Sequence, residues 1–338
     1  MTDIVVFGSG AWGTALASVW ARNGLKVILW AYPDDIGQEL ARTREHPRLP
    51  GGRLPDSLKV VTGFKEDFHA ELWASALPTQ ISPTAWREML GKTEARPKHF
   101  IHVSKGILAS TDGAPPGSLG TLSGALGPLI DLPVGALSGP TFADEVFVQK
   151  PSAIVLAMPR SIAQEEAFRT QSMLATPRLR VYLSRDVQGV ELCGALKNIL
   201  AIAGGLLDSL GLGLNARAAM LTRGLAEMAR LVEKLGGQPE TVMGLAGMGD
   251  LLLTATGPQS RNRAFGELLG KGSTPAEAFA SMGEQVVEGA HTAKAALELA
   301  KAAGVEMPIA QEVVRLLDGE DPKAAVDNLM KRSLKAEW

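Results

Sequence analysis

The sequence predicts an α/β fold in which a doubly wound N-terminal sheet precedes an all-helical C-terminal domain. Up to about residue 184, short apolar runs alternate with helix-compatible windows, which is typical of a parallel sheet covered by helices on both faces. Beyond Ser184 the β-branched clusters thin out, and long windows rich in alanine, leucine and methionine follow. The 338 residues favour two domains, because one domain usually takes about 150 residues. We therefore predict one domain over residues 1–184 and a second over residues 185–338.

Strands are predicted where short, near-continuously apolar runs occur. These runs are Ile4–Phe7, Val27–Trp30, Lys59–Val61, Leu72–Ala76, Phe100–Val103, Val134–Leu137, Ala153–Leu156 and Leu179–Leu183. The helices predicted between them are Ala11–Asn23, Asp35–Arg44 and Thr84–Leu90. In the second domain several helical windows begin or end at glycine or proline. These windows are Val187–Leu210, Ala216–Leu235, Ser260–Lys271, Thr274–Met282, Thr292–Ala303, Pro308–Gly319 and Pro322–Leu329.

The composition excludes several classes of protein. Hydrophobic residues make up 46% and charged residues 21%, which lies in the ordinary globular range and excludes a disordered chain. A formal net charge of −2 offers no electrostatic footprint for nucleic acid or an anionic membrane. The single cysteine, Cys193, excludes a disulfide framework, and the histidines lack metal-ligand spacing. We expect a cytoplasmic protein without a metal, a nucleic-acid partner or stable membrane insertion.

A glycine-rich segment, Gly8-Ser9-Gly10-Ala11-Trp12-Gly13, follows the first predicted strand and opens the first predicted helix. This is the setting in which G-x-G-x-x-G binds a dinucleotide. Gly8 permits the tight turn, Gly10 lets the backbone approach a pyrophosphate, and Gly13 lets the helix pack against the strand. Free N–H groups at the helix start would receive the anion. The alternative is a tight βα turn with no ligand; we predict a Rossmann-like dinucleotide-binding domain.

The end of the second predicted strand leaves the choice of dinucleotide open. An acidic residue usually follows this strand in NAD-binding domains, and a basic residue in NADP-binding ones. Here the sequence continues Trp30-Ala31-Tyr32-Pro33-Asp34-Asp35, with no arginine and with the carboxylates slightly late. Tyr32 is a candidate for stacking on adenine, or else a surface aromatic residue. The expected cofactor is therefore NAD or NADP.

Two charged residues stand alone in apolar parts of the second domain. Lys197 is the only charged residue within 192–207, in a helix that is apolar nearly all round and should be buried. Burial there disfavours the charged form of a lysine unless an anion compensates. Asp250 is the only charged residue within 241–260 and needs a partner, for which a lysine is the natural choice. The alternative is a lysine that reaches solvent or pairs for structural reasons only.

Two further groups are suited to binding an anion. Lys105 follows the predicted strand Phe100–Val103 and so lies at the carboxyl end of a sheet strand, where doubly wound folds bind ligands. Ser260, Arg261 and Asn262 combine a hydroxyl, a guanidinium and an amide at a predicted helix start, which suits a phosphate. A surface lysine and a solvated helix start are the alternatives. Together with a dinucleotide, these groups indicate hydride transfer to a small phosphorylated carbonyl compound.

Nine segments extend the pattern along the whole chain: Gly8–Ala17, Ser104–Gly106, Leu137–Ala143, Gly189–Asn198, Asn215–Ala219, Gly244–Asp250, Ser260–Asn262, Val287–Gly289 and Glu306–Pro308. In sequence and in order, the chain resembles the bacterial-type NAD(P)-dependent sn-glycerol-3-phosphate dehydrogenases. The resemblance implies reversible reduction of dihydroxyacetone phosphate to sn-glycerol 3-phosphate, the backbone precursor of phospholipids. It also implies a small phosphorylated substrate as the binding partner.

By position, Lys197 matches the acid/base lysine of that family, and we take Lys105 and Asp250 as further catalytic candidates. The positions that match substrate contacts are Lys105, Gly139, Thr141, Asp250, Ser260, Arg261 and Asn262. We add three substrate-binding candidates, Lys197, Asn198 and Thr254. The positions that match cofactor contacts, beside the glycines and Tyr32, are Ala11, Trp12, Lys105, Ala143, Arg261, Val286 and Glu288.

The expected mechanism gives each charged group a task. Lys197, as an ammonium, would protonate the developing alkoxide, and Asp250 would orient it and balance its charge. Lys105 would add positive potential near the reacting oxygen. Arg261 and Asn262 would hold the phosphate, so that binding energy remote from the reacting carbon aligns it.

The chain departs from the family pattern at three places, which leaves the cofactor preference and the local packing open. Tyr32-Pro33 stands where a basic residue usually follows the second strand, Leu49 replaces a common aromatic residue, and Leu214 replaces an often acidic or polar one. The rival hypotheses are another two-domain dehydrogenase, acting on a hydroxy acid, a sugar acid or a ketopantoate-like substrate, and a catalytically silent NAD(P)-sensing regulator. A symmetric homodimer is the default assembly.

Overall fold

The computed structural model describes residues 2–32, 37–63, 67–108, 120–283, 286–334 and 336. Its contacts divide the chain into two compact units, residues 1–191 and residues 192–338. The division falls a few residues beyond the predicted boundary at residue 184 and lies inside one long helix. Pro33, Asp34 and Asp35, named above, lie outside the described residues.

The first unit contains an eight-stranded sheet in the order β3-β2-β1-β4-β5-β6-β7-β8. Its strands are β1 Thr2–Phe7, β2 Val27–Ala31, β3 Lys59–Thr62, β4 Ala70–Ser75, β5 Pro97–His102, β6 Val134–Ser138, β7 Ser152–Ala157 and β8 Leu179–Ser184. Neighbouring strands pair in parallel, except β6 and β7, which pair antiparallel. The predicted α/β class is therefore confirmed, and the antiparallel pair is a difference that the sequence did not predict.

The central strand β1 explains why the strands read as continuous apolar runs. Ile4 and Val6 belong to one buried cluster, whereas Val5 and Phe7 belong to a second cluster on the opposite face. Because successive side chains of a strand point to opposite faces, a sheet covered on both sides favours apolar residues at successive positions.

The helices of the first unit cover both faces of this sheet. They are α1 Ala11–Arg22, α2 Gly37–Thr43, α3 Ser82–Leu90, α4 Leu122–Ile130, α5 Ala143–Phe147 and α6 Gln164–Leu174. Leu16 and Trp20 of α1 belong to the first cluster, and Trp86 of α3 and Leu126 of α4 belong to the second. The sequence did not predict α4, which contains Pro128 and two glycines, nor α5 and α6.

The helix α7, Val187–Ser209, continues into the second unit, and every further element described there is helical. These helices are α8 Gly213–Lys234, α9 Pro239–Met243, α10 Asp250–Thr256, α11 Arg261–Gly270, α12 Pro275–Met282, α13 Glu288–Ala303, α14 Pro308–Leu317 and α15 Pro322–Met330. A single π-helical turn, Leu245–Gly249, leads into α10. The predicted all-helical second domain is confirmed, although α9 and α10 were not predicted as helices.

Helix α7 is long and apolar enough to cross a membrane by length and composition alone. However, 94% of its most apolar stretch is buried within the fold, as in the core helix of a globular domain. Two glycines bring it close to α11: a Cβ on Gly205 would lie 1.9 Å from the Arg263 carbonyl oxygen, and one on Gly266 would lie 2.0 Å from that of Ile202. The main chains of α7 and α11 therefore touch, which fixes their side chains relative to one another.

Candidate functional site

The glycine-rich loop between β1 and α1 has the shape that a pyrophosphate requires. Gly8 has a φ of +118°, and a Cβ on it would lie 2.9 Å from the Ala76 carbonyl oxygen. A Cβ on Gly13 would lie 2.3 Å from the Gly8 carbonyl oxygen, so the chain itself requires glycine there. By contrast, no atom of the described residues would lie within 4 Å of a Cβ on Gly10. As far as these residues are concerned, the backbone at Gly10 is open to close approach by a pyrophosphate.

The first turn of α1 supplies the matching donors. Its N-cap, Gly10, has no side chain to cap the helix, so N–H groups of the first turn, which includes Ala11 and Trp12, keep their capacity to bind an anion. Tyr32 follows β2 directly and is 56% exposed, with its ring 6.2 Å from that of Trp30. An exposed ring at this strand end fits both hypotheses for Tyr32. The loop and the helix start thus fit a dinucleotide of the NAD or NADP type.

Lys105, Gly139 and Thr141 come together beyond the carboxyl ends of β5 and β6. The Nζ of Lys105 donates to the Gly139 carbonyl oxygen at 3.3 Å, and the Thr141 hydroxyl donates to the same oxygen at 3.1 Å. A Cβ on Gly139 would lie 3.1 Å from the Ile154 Cα, so a side chain there would crowd β7. Ala143 begins α5 two residues after Thr141. This cluster lies where the rule for doubly wound sheets places ligands.

In the second unit, Lys197 of α7 is buried against α10. Its Nζ donates to Asp250 Oδ1 and to Thr254 Oγ1, each at 2.6 Å. Lys197 is 5% exposed and Asp250 1% exposed, so this ion pair is shielded from water. The expectation that a lysine would partner Asp250 is confirmed.

The glycine-rich sequence before α10 explains how Asp250 reaches this position. A Cβ on Gly247 would lie 2.1 Å from the Val242 carbonyl oxygen, so the π-helical turn can pack against the preceding helix only with glycine there. Asp250 then starts α10, and Thr254 follows one turn later on the same face. The Thr254 hydroxyl also lies 2.6 Å from the Asp250 main-chain oxygen, so it can accept from Lys197 and donate to α10.

A second set of buried hydrogen bonds runs from α7 to the starts of α11 and α13. The Asn262 amide nitrogen donates to Asn198 Oδ1 at 3.0 Å, and Asn262 Oδ1 accepts from the Gly289 N–H at 2.9 Å. The Asn198 amide nitrogen donates to Glu288 Oε2 at 3.3 Å. The side chain of Asn262, predicted as a phosphate ligand, is therefore already engaged in aligning Asn198. Val286, just before this chain of contacts, is partly exposed.

The residues predicted to bind a phosphate at the start of α11 lie in different surroundings. Ser260 caps α11 by accepting from the Arg263 N–H at 3.2 Å. Arg263 itself pairs with Asp208 at 2.9 Å and with Glu267 at 2.7 Å. Arg261 is exposed, and its guanidinium makes no hydrogen bond or ion pair with another described residue. Of the two arginines, Arg261 is thus the one available to an anion.

His46 is a residue near the site that the sequence did not single out. The histidines of the sequence lack metal-ligand spacing, yet the ring of His46 is buried and contacts the glycine-rich loop, 3.0 Å from the Ser9 oxygen. No local pattern could have shown this, because the two residues lie in different loops. Within the described part of the chain, no group of three metal-ligating side chains converges on one point.

Comparison with known proteins finds matches along nearly the whole chain. Residues 3–164 match the model for the NAD-dependent glycerol-3-phosphate dehydrogenase N-terminus, and residues 186–327 match the model for its C-terminus. Glycerol-3-phosphate dehydrogenase (NAD(P)+) of Variovorax paradoxus is 45% identical, with 97% of each chain covered. The enzyme of that name from Erythrobacter litoralis is 42% identical, covering 99% of this chain and 98% of the relative.

A solved structure extends the likeness to three dimensions. The crystal structure of glycerol-3-phosphate dehydrogenase from Coxiella burnetii superposes with a TM-score of 0.89 at 38% identity, covering 98% of this chain and 99% of that one. Its likeness spans the Rossmann-like unit and the helical unit alike. The chain belongs to the NAD-dependent glycerol-3-phosphate dehydrogenase family.

Proposed function

We propose that this chain is an oxidoreductase that reversibly reduces dihydroxyacetone phosphate to sn-glycerol 3-phosphate with NADH or NADPH. Its product would supply the backbone of glycerophospholipids. The observation that carries the proposal is the buried Lys197 ammonium, held 2.6 Å from both Asp250 and Thr254, in a chain that matches both family models.

The cofactor is proposed to bind along the first unit's glycine-rich loop. When bound, its nicotinamide supplies the hydride in one direction and accepts it in the other. Gly8, Gly10 and Gly13 would accommodate the pyrophosphate, and the first-turn N–H groups of α1 would bind its charge. The further cofactor contacts that we propose are Ala11, Trp12, Tyr32, Lys105, Ala143, Arg261, Val286 and Glu288.

Lys197 is proposed as the general acid of the reduction and the general base of the oxidation. Asp250 and Thr254 accept hydrogen bonds from its Nζ and so restrain the orientation of the ammonium group. We place the substrate oxygen within hydrogen-bond reach of this Nζ. Transfer of a proton from Nζ to that oxygen neutralises the alkoxide as it forms. Asp250 keeps the ammonium form compatible with burial, which an unpaired lysine there would not tolerate.

The substrate phosphate is proposed to bind at the start of α11. Arg261 offers a guanidinium with no partner among the described residues, and the N–H groups of Arg261 and Asn262 have no acceptor within the helix. The Asn262 side chain would align Asn198, because both of its polar ends are already engaged. Ser260 would support the same helix start as its N-cap. Holding the phosphate in this way orients the carbonyl carbon for reaction.

Within the first unit, Lys105, Gly139 and Thr141 are proposed as substrate-binding residues. The Lys105 ammonium would add positive potential near the reacting oxygen. Its hydrogen bond to the Gly139 carbonyl oxygen restrains the side chain, and Thr141 restrains the same carbonyl. We further propose a cytoplasmic location, because a chain with one cysteine, the buried Cys193, forms no internal disulfide, and a symmetric homodimer.

A spectrophotometric assay tests the proposal directly. Purified chain should oxidise NADH, NADPH or both when dihydroxyacetone phosphate is added, and the ratio of the two rates would give the cofactor preference. Turnover with a hydroxy acid, a sugar acid or ketopantoate instead would move the chain to another dehydrogenase function. Dinucleotide binding without turnover of any of these substrates would favour the regulator.

A further inference from the structure

His46 lies outside the glycine-rich motif but is hydrogen-bonded to it. Its Nε2 is 3.0 Å from the main-chain oxygen of Ser9, the residue between Gly8 and Gly10. His46 is 4% exposed and Ser9 2% exposed, so bulk water does not compete for this contact. The ring therefore acts on the backbone of the loop where the dinucleotide is proposed to bind.

The second ring nitrogen identifies the tautomer of His46. Nδ1 accepts from the main-chain N–H of Arg48 at 3.1 Å, and an N–H group can only donate. Nδ1 is therefore unprotonated, and the ring proton lies on Nε2. Because a carbonyl oxygen can only accept, Nε2 donates to Ser9. His46 is thus a neutral donor aimed at the loop.

The hydrogen bond from His46 orients the Ser9–Gly10 peptide group. The Ser9 oxygen accepts from two donors, His46 Nε2 and the Thr14 hydroxyl, the latter at 3.2 Å. This peptide is trans, so its C=O and N–H groups point in opposite directions. With the Ser9 oxygen held toward two buried donors, the Gly10 N–H points away from them. Gly10 is the exposed residue of the loop.

The segment that carries His46 is itself anchored. The Leu49 N–H donates to the His46 main-chain oxygen at 3.0 Å, and the Leu49 side chain is buried. The Leu54 N–H donates to the Arg44 main-chain oxygen at 2.8 Å, and the Arg44 guanidinium donates to the Leu58 oxygen at 2.7 Å. These contacts hold His46 without help from the glycine-rich loop.

We propose that His46 is a positioning residue for the cofactor, whose Nε2–H holds the Ser9 carbonyl so that the Gly10 N–H is presented to the pyrophosphate. The inference rests on the proposed function, because it takes NAD(P)H as the ligand of the loop. Loss of the donor would leave a buried carbonyl oxygen with one partner fewer and free the peptide to rotate. The cost would appear in cofactor binding rather than in the chemical step.

The test compares three variants of the full chain by calorimetric titration with NADH and NADPH. His46→Leu should raise the Kd of the cofactor about tenfold, the effect of one buried hydrogen bond. The glutamine amide nitrogen can reach the place of Nε2, so His46→Gln should recover most of the affinity. His46→Asn offers an acceptor to Arg48 but is too short to reach Ser9, and should bind as weakly as His46→Leu.

Two readouts separate positioning from simple destabilisation. Hydrogen exchange of the backbone around Gly10 should be faster in cofactor-free His46→Leu than in the cofactor-free wild type. In steady-state kinetics of His46→Leu, the KM for the cofactor should rise by more than kcat falls, and His46→Gln should recover most of this KM. His99→Gln is the matched control: His99 is equally buried in the same unit, at 4% exposure, and lies on β5 away from the loop. It should leave the Kd unchanged.

Different outcomes would contradict the positioning role of His46 and the proposed function of the chain. If His46→Leu binds NADH as tightly as the wild type, the positioning role is overturned while the proposed function stands. If His46→Leu does not fold, the glutamine and asparagine variants decide, and equal Kd values for those two would overturn the role. A wild-type chain that binds neither NADH nor NADPH would overturn the proposed function and this inference with it.

Discussion

The Nζ of Lys197 lies 2.6 Å from Oδ1 of Asp250, and both residues are almost entirely buried. In such surroundings each charge depends on the other, because neither is hydrated well enough to stand alone. The proposed proton transfer requires Lys197, whereas the stability of this region requires that both charges be present or both absent. Catalysis and stability can therefore be separated by substitution.

Lys197→Met removes the proton donor but keeps an unbranched apolar side chain on α7. We expect kcat for dihydroxyacetone phosphate reduction to fall by about 10²–10⁴-fold, the usual contribution of a general acid. The Kd for NADH, measured by titration, should be unchanged, because Lys197 is not among the proposed cofactor contacts. A folded variant that retains about a third of wild-type turnover would remove Lys197 from the proton-transfer role.

Asp250→Asn leaves the buried ammonium of Lys197 without its counter-charge. We expect the free energy of unfolding to fall by about 3–5 kcal/mol, as for other buried pairs that lose one partner. Adding Lys197→Met should restore much of that loss, because the double variant contains neither charge. Urea unfolding of the wild type, both single variants and the double variant measures this coupling. Strictly additive losses would contradict the interdependence of the two charges.

The apolar runs predicted the strands because burial on both faces favours an apolar residue at most positions. Val5 and Val6 point to opposite faces and are both buried, so an uninterrupted apolar run indicates a strand of a sheet that is covered on both faces. Strand direction is different: β6 and β7 are as apolar as their neighbours, yet they pair antiparallel. Composition does not encode that direction.

Helix α4 was not predicted because Pro128 and its glycines suggest a loop, although the buried side chains of Leu122 and Leu126 anchor the helix in the core.

The candidate site was predictable where a charge stands alone in apolar sequence. Such isolation indicated Lys197 and Asp250, because burying a charge requires a partner. Local sequence distinguished Arg261 from Arg263 only in part: Glu267, one helical turn later, pairs with Arg263, but Asp208, which also pairs with it, lies more than fifty residues earlier. Long-range pairing of this kind also hid the contact between His46 and Ser9.

Arg261→Ala tests that distinction, with Arg263→Ala as its matched control. We expect Arg261→Ala to raise the KM for dihydroxyacetone phosphate by about 10–100-fold, the value of hydrogen bonds to a charged group. Arg263→Ala should instead lower the free energy of unfolding and leave this KM unchanged, because Arg263 is engaged with Asp208 and Glu267. Steady-state kinetics of both variants measure the two KM values. An equal rise in KM for the two would place the phosphate elsewhere.

The buried carboxyl group of Glu227 in α8 should make the free energy of unfolding depend on pH, independently of catalysis. Its buried carboxyl group accepts from the Ile309 N–H at 2.9 and 3.2 Å and so caps α14, which has no side-chain cap of its own. Burial raises the pKa of Glu227 to about 7, and the N–H groups of Ile309 and Ala310 oppose this rise only in part. The folded protein therefore binds a proton at Glu227 more tightly than the unfolded chain does.

Because the folded pKa is the higher one, the stabilising effect of the bound proton is complete below about pH 4.5 and is lost as the pH rises through about 7. The loss should amount to about 3 kcal/mol, at roughly 1.4 kcal/mol per unit of pKa difference. Glu227→Gln cannot ionise but keeps an oxygen for the Ile309 N–H, so this component should vanish. Urea unfolding of both proteins from pH 5 to pH 8 should show the wild type losing stability relative to Glu227→Gln. A stability difference that stays constant over this range would mean that Glu227 does not titrate there.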